Sequence, residues 1–199
     1  MRLLFSGLVA LYVFVLFNAS AHLAFASKAV FKSAMIMPGN STDEVVLVGY
    51  SARFEQPGWS CIKSKFLNRT GEWVNRTLEY KLQGFSEELN MTYEQEVKTK
   101  ISIKVSKYRD VLEVGHETWP RVYTGGNTKY QIRYYDNRSL VVSNFIDEIW
   151  VLQPCSFWVK TQYLDNITQL ANETFTHLCN ETKFVGYDPE ACRSPFVTE

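Results

Sequence analysis

Apolar and polar side chains alternate at every second residue over much of this 199-residue chain, and this period limits the fold more than any other feature. The clearest stretch is Val97–Val105, where the odd positions carry apolar residues or threonine and the even positions carry lysine or serine. Such a pattern predicts a strand with one buried and one solvated face. Residues 128–135 alternate in the same way, and a break at Asp136 before the apolar run 140–142 predicts a hairpin.

Several further short segments are strand candidates, and turn residues such as Pro57-Gly58 and Gly125-Gly126 separate them. They are 44–52, 60–67, 77–85, 108–114, 148–152 and 156–161. Many short strands without intervening helices favour an antiparallel all-β meander, closed as a barrel or stacked as a sandwich.

One segment, 164–178, has a helical period instead. Its apolar residues are spaced by three or four, which places them within an arc of roughly 80° on a helix. They are Leu164, Ile167, Ala171, Phe175 and Leu178. We therefore predict an amphipathic helix after the last strand, packed on the outer wall of the sheet.

The N-terminus has the order of a secretory signal peptide, which we place at 1–26. Arg2 precedes an uncharged, mostly apolar run at 3–17, and small residues then offer cleavage sites after Ala21 or Ala26. The alternative is an uncleaved anchor, for which this run is short. Residues 27–43 follow as an N-terminal segment, and the secreted protein is expected to be extracellular.

Sequons and cysteines agree with export. Eight Asn-x-Ser/Thr sequons follow the signal and predict N-glycosylation at Asn40, Asn68, Asn75, Asn90, Asn137, Asn166, Asn172 and Asn180. The four cysteines are Cys61, Cys155, Cys179 and Cys192. In an oxidising compartment they predict two disulfides, for which the number of cysteines alone allows three connectivities.

Charge and motifs exclude several classes of function. The chain has 21 basic and 21 acidic residues and no basic run, which argues against binding to nucleic acid. It has no common nucleotide-binding or zinc-protease motif, so no cofactor or metal is expected. No nucleophile can be assigned beside His116 or His177, and we therefore do not expect an enzyme.

The C-terminal third contains three motifs around its cysteines, namely Cys155–Val159, Phe175-x(3)-Cys179 and Tyr187-Asp188-x(3)-Cys192. In these motifs the chain resembles the salivary lipocalins of ticks, the group that includes the tick histamine-binding proteins. The resemblance implies a lipocalin domain at 44–199: an eight-stranded antiparallel barrel at about 44–161, an outer helix at about 164–178 and a disulfide-anchored tail at 179–199. It also implies the pairs Cys61–Cys192 and Cys155–Cys179.

Amine-binding members of this family carry two acidic signatures that this chain lacks. Glu148-Ile149-Trp150 stands where the family has Cys-Asp, and Ser156 replaces the glutamate before Phe157-Trp158. A buried ammonium needs a buried carboxylate, so the departures favour a lipid. Strand parity and bulk predict the cavity residues Tyr50, Ile101, Ile103, Tyr130, Ile132, Tyr134, Trp150 and Trp158. Polar candidates for the cavity are Arg53, Arg133, Asp147, Glu148 and Ser156.

The function expected from this resemblance is capture of a small host inflammatory mediator by a secreted monomer with no membrane segment after signal cleavage. A leukotriene, thromboxane or fatty acid is the preferred ligand. The alternatives are a histamine- or serotonin-binding lipocalin and an inhibitor that binds a host complement component or another defence protein.

Overall fold

The computed structural model describes residues 37–88, 90–106, 110–115, 128–145 and 152–193. The strands in these ranges are β1 (Val45–Ser51), β2 (Trp59–Ser64), β3 (Phe66–Thr70), β4 (Trp73–Ser86), β5 (Met91–Val105), β6 (Val111–Gly115), β7 (Lys129–Tyr135), β8 (Ser139–Asn144), β9 (Cys155–Lys160) and β10 (Thr182–Phe184). The α-helices are α1 (Gln169–Leu178) and α2 (Pro189–Arg193), and 3-10 turns lie at Pro38–Asn40, Ala52–Phe54 and Thr161–Asn166. The predicted signal peptide at 1–26 and most of the strand predicted at 148–152 lie outside the described residues.

Eight strands close into a barrel. Their order is β1-β2-β4-β5-β6-β7-β8-β9, every pair is antiparallel, and β9 returns to pair with β1. Two further short strands pair with members of the barrel without being part of this closed order. β3 pairs with β4, and β10 pairs with β1. The predicted eight-stranded antiparallel barrel is therefore confirmed, although the predicted strand 60–67 is divided at Lys65 into β2 and β3.

Apolar side chains form cores on both sides of the barrel wall. Two clusters lie inside, one around Ile103 and Leu112 and the other around Leu47 and Leu78. A third cluster lies outside, where α1 covers β1, β8 and β9 through the buried Phe175. This double use of the wall explains why β1 and β9 are apolar on both faces.

The predicted helix at 164–178 is shorter than expected. Thr168 caps its start, since its hydroxyl oxygen accepts a bond from the Ala171 amide at 3.4 Å, and the α-helix begins only at Gln169. Leu164 and Ile167 still pack against the outer cluster, but from the preceding 3-10 turn and its exit. Leu178, predicted on the apolar face, is 45% exposed because the buried face of α1 ends at Phe175.

The C-terminal tail completes one part of the wall. β2 pairs with β1 at Val45 and Val46, while β10 pairs with β1 at Gly49–Ser51. A disulfide joins Cys61 of β2 to Cys192 of α2, and a second joins Cys155 of β9 to Cys179 after α1. These are the two pairs that the family resemblance implies, and each fastens C-terminal chain to the barrel.

No helix in the described ranges has the length and apolarity needed to cross a membrane. Within the same ranges no group of acidic, histidine or cysteine side chains is arranged to hold a metal ion.

Candidate ligand-binding cavity

The barrel encloses a cavity whose wall takes side chains from all eight barrel strands. Its space, counted with the part open to solvent at the mouth, is about 1160 Å³, and its described lining is mainly aliphatic and aromatic. Natural sites for small organic ligands have the same mainly apolar lining with a few polar groups. The lining residues are Gly39, Val45, Leu47, Tyr50, Phe54, Gln56, Trp59, Ile62, Ser64, Arg76, Leu78, Ile101, Ile103, Leu112, Val114, Tyr130, Leu140, Val142, Ser156 and Trp158.

The N-terminal segment closes one end of the cavity. Met37 is 1% exposed and packs in the inner cluster with Ile103, and Gly39 lies on the cavity wall. A side chain at Gly39 would collide with these neighbours, since a methyl group there would lie 2.9 Å from Ile103 and 3.0 Å from Met37. Segment 37–43 is thus the floor of the cavity.

Arg76 on β4 fastens this floor. The residue is 1% exposed, and its guanidinium donates to the carbonyl oxygens of Ser41 and Asp43, each at 2.7 Å, and to that of Gly39 at 3.4 Å. It also donates to both the hydroxyl and the carbonyl oxygen of Ser64, each at 3.0 Å. A guanidinium has five N–H groups, so these five bonds use all of them.

Burial lowers the pKa of Arg76 to about 10, and nearby Asp43 partly offsets this effect, so the group is charged at neutral pH. The Asp43 carboxylate itself bonds to Lys160 at 2.9 Å, which holds the pKa of Asp43 below its ordinary value. The positive charge of Arg76 is therefore present in the cavity wall but balanced mainly by carbonyl dipoles, with no N–H left for a ligand.

The other end carries aromatic and polar groups. Trp59 stacks on Tyr80 with ring centroids 4.1 Å apart, and Trp158 donates its indole N–H to the Ser156 hydroxyl at 2.9 Å. The phenol of Tyr50 lies near this end, and burial raises its pKa. The hydroxyls of Tyr50 and Ser156 and the amide of Gln56 are thus uncharged polar groups of the lining.

The structure brings together part of the predicted cavity set. Tyr50, Ile101, Ile103, Tyr130 and Trp158 lie on the cavity wall. Ile132 is buried in the inner cluster but is not part of the lining. Trp150 lies outside the described residues.

Tyr134 lies on the outer face of the barrel, contrary to the prediction. It was predicted on the inner face by parity with Ile132, but the pairing of β7 with β8 shifts between these two residues. This bulge turns Tyr134 outward, where its hydroxyl lies 3.2 Å from that of Thr168 beside α1.

The predicted polar residues are divided. Ser156 lines the cavity, whereas Arg53 is exposed and absent from the lining. Arg133 points to the outer face, where it donates to the Ser143 hydroxyl at 2.8 Å. Asp147 and Glu148 lie outside the described residues. Neither arginine proposed for an anionic ligand head therefore reaches the cavity.

Arg76 is the charged residue among the described lining residues that the sequence analysis missed. Its signal is parity, because Val74, Leu78 and Tyr80 are buried at every second position of the same strand. An arginine in phase with buried apolar residues points into the barrel, whatever its charge.

The sequon asparagines differ in exposure. Asn68, Asn90, Asn137, Asn166 and Asn172 are exposed, and Asn40, Asn75 and Asn180 are half-buried. The side-chain nitrogen of Asn75 donates to Asn68 at 2.6 Å and to Thr70 at 3.1 Å, which are bonds that a glycan on this nitrogen would disturb.

Comparisons with known proteins agree with this geometry. The family profile described as tick histamine binding protein matches residues 35–194. Japanin of Rhipicephalus appendiculatus is 32% identical over 156 residues, covering 78% of this chain and 84% of that protein. Japanin-like-RS of Rhipicephalus sanguineus is 28% identical over 160 residues, with the same two coverages. The crystal structure of Japanin bound to cholesterol matches with a TM-score of 0.66 and 30% identity, covering 77% of this chain and 98% of that one.

Proposed function

Because the chain belongs to the tick histamine-binding protein family, we propose that it is a secreted lipocalin that captures a small, uncharged lipid in its barrel. The observation that carries the proposal is the charge of the cavity wall. None of the described lining residues is Asp or Glu, and the one cation among them, Arg76, has all its N–H groups occupied.

An amine would be poorly held by this wall. Its ammonium group would leave water without a carboxylate among the described lining residues and would meet the like charge of Arg76. Burying an unpaired charge costs several kcal/mol, and like charges add to that cost.

An ionised fatty acid or eicosanoid would also lack a partner. Its carboxylate would be attracted by Arg76 but would find no free N–H there, since five oxygen atoms already accept them. A neutral lipid with one hydroxyl needs no ion pair. Its rings can pack on aliphatic and aromatic side chains, and its hydroxyl can bond to Ser156 or Tyr50.

The bound cholesterol of Japanin, a relative with the same fold, supports a sterol as the first ligand to test. Capture is stoichiometric and needs no turnover, so the biological effect is removal of a host lipid from solution. The sequons support secretion as a glycoprotein.

The test is titration of the purified, delipidated protein with cholesterol, palmitate and histamine, followed by tryptophan fluorescence, since Trp59 and Trp158 line the cavity. We expect affinity to fall in that order. Ile101→Trp fills the cavity and should weaken cholesterol binding at least about tenfold, or about 1.4 kcal/mol. Lys100→Trp, at the exposed neighbouring position, is the matched control and should have no effect.

Submicromolar histamine binding without detectable lipid binding would contradict the proposal. It would indicate that Asp147 or Glu148 supplies the acid that the described lining lacks. Equal loss of cholesterol binding in both tryptophan variants would show that the lipid does not enter the barrel.

A further inference from the structure

The β4–β5 hairpin extends past the rest of the wall. Its cross-strand pairs run from Val74 with Ile103 to Ser86 with Met91, whereas the pairing of β4 with β2 stops at Leu82. The far end of the hairpin exposes large apolar side chains. Phe85 is 59% exposed, Met91 50% and Tyr93 45%. Exposed apolar groups gathered at one tip indicate that something covers them.

A sequon lies on the same tip. Asn90-Met91-Thr92 spans the end of the turn and the start of β5, and Thr92 is directly opposite Phe85 in the sheet register. Directly opposed residues place their side chains on the same face about 4.5–5.5 Å apart, so Thr92 and the ring of Phe85 share one face. Asn90 lies in the turn immediately before β5, next to the last cross-strand pair, Ser86 with Met91. The sequon asparagine therefore lies at the same end of the hairpin as the exposed ring.

Backbone geometry explains only one of these three residues. Asn90 has φ +50°, a left-handed conformation that asparagine tolerates better than most residues. Glycine would adopt this conformation more easily than asparagine. The conformation also gives no reason for a threonine at position 92. Nor does turn geometry account for an aromatic ring exposed at Phe85.

We propose that Asn90 carries an N-linked glycan whose first N-acetylglucosamine packs on the ring of Phe85 beside Thr92. The C–H groups on one face of a sugar are apolar and weakly positive, and they match the negative face of an aromatic ring. The glycan then covers the face of the tip that carries Phe85 as a fixed part of the fold, whereas Met91 and Tyr93 lie on the opposite face. This inference requires passage through the secretory pathway but does not depend on which ligand the barrel binds.

The modification itself is ordinary glycosyl transfer. A bond forms between Asn90 Nδ2 and the anomeric carbon of an oligosaccharide carried on a lipid pyrophosphate. The anomeric C–O bond breaks, the lipid pyrophosphate leaves, and Nδ2 loses one proton.

The experiment is a double-mutant cycle on full-length protein secreted from eukaryotic cells. Mass spectrometry after peptide-N-glycosidase treatment in heavy-oxygen water should show that Asn90 is occupied. Asn90→Gln should lower Tm by about 2–4 °C, the shift that one aromatic contact produces in a domain of this size. The same change in a Phe85→Ala background should lower Tm by less than about 1 °C.

Two controls isolate the contact. Asn172→Gln removes an exposed sequon on α1, with Leu170→Ala as the matching loss of an exposed apolar neighbour, and this pair should show no coupling. Trimming the glycans with an endoglycosidase that leaves the first sugar should preserve the Tm difference between wild type and Asn90→Gln. An unoccupied Asn90, or an equal Tm shift with and without Phe85, would overturn the proposal. Ligand binding by the same variants, measured by titration, tests the proposed function separately, so either proposal can fail without the other.

Discussion

At the scale of single residues, the guanidinium of Arg76 joins three parts of the chain at the closed end of the barrel. It sits on β4 and bonds to carbonyl oxygens of the floor segment 37–43 and of Ser64 on β2. Four of its five bonds go to backbone carbonyls and only one to a side chain, the hydroxyl of Ser64, so the arrangement depends mainly on Arg76 itself.

Replacing Arg76 by methionine should therefore leave several buried carbonyl oxygens without donors. We expect the free energy of unfolding to fall by about 3–5 kcal/mol, measured by urea denaturation. Arg69→Met is the control, because Arg69 is exposed and bonds to the same segment only through the carbonyl of Asn40 at 3.0 Å, and it should cost less than about 0.5 kcal/mol. Similar losses in the two variants would show that the floor does not depend on Arg76.

Arg76 and Tyr134 also show how far side-chain direction can be predicted from sequence. Parity along β4 points Arg76 inside, but the predicted strand 77–85 began one residue after it, and an arginine is ordinarily assigned to solvent because its burial needs many acceptors. Three of its five acceptors are carbonyl groups of segment 37–43, for which the sequence has no pattern. The prediction for Tyr134 was wrong for a different reason. Parity was applied across a bulge between Ile132 and Tyr134 that the residue types do not reveal.

At the scale of elements, bulges fit the barrel to its helix. The pairing of β1 with β9 shifts between Leu47 and Gly49, and that of β7 with β8 shifts between Ile132 and Tyr134. Val48 and Tyr134 both pack in the cluster beneath α1. The period-two pattern therefore predicted where the strands lie. It predicted which side chains point into the barrel only as far as each bulge.

The contact between α1 and β1 is close enough to test. A methyl group at Gly49 would lie 2.8 Å from the ring of Phe175, so Gly49→Ala should destabilise the protein by about 1–3 kcal/mol. Phe175→Ala removes a ring that is 1% exposed and should cost about 3–5 kcal/mol.

In a Phe175→Ala background the cost of Gly49→Ala should drop below about 1 kcal/mol, because the clashing ring is gone. Leu178→Ala, at an exposed position of the same helix, should be nearly neutral. Chemical denaturation of the four variants measures this coupling, and simple additivity of the first two changes would contradict the proposed packing.

At the scale of the whole molecule, the two disulfides close loops of very different size. Cys61 and Cys192 are separated by 131 residues, and Cys155 and Cys179 by 24. The number of cysteines alone left three pairings open; the resemblance to a family implied both pairs, and the position of Cys179 at the end of the predicted helix independently favoured its pairing with Cys155. Pairing over such distances depends on strand order, which local patterns do not contain.

Removing both cysteines of one bridge should separate their contributions. The chain-entropy relation gives about 5 kcal/mol for Cys61–Cys192 and about 3.5 kcal/mol for Cys155–Cys179. Cys155 is fully buried, so its replacement by alanine also leaves a cavity. The clearer measurement is the urea m-value, which should rise more for Cys61→Ala/Cys192→Ala because the longer loop expands more on unfolding. A larger rise for the shorter bridge would contradict this account.

The wide separation of Cys61 and Cys192 also determines how long Cys61 waits for its partner during synthesis of the chain. A ribosome adding about 5–20 residues per second needs about 7–26 s to pass from the first of these cysteines to the second. Cys155 and Cys179 are made during that interval, so Cys61 meets two wrong partners before its own exists. Correct pairing thus requires that Cys61 stay reduced, or that an early bridge be exchanged, until the last residues of the domain have been made.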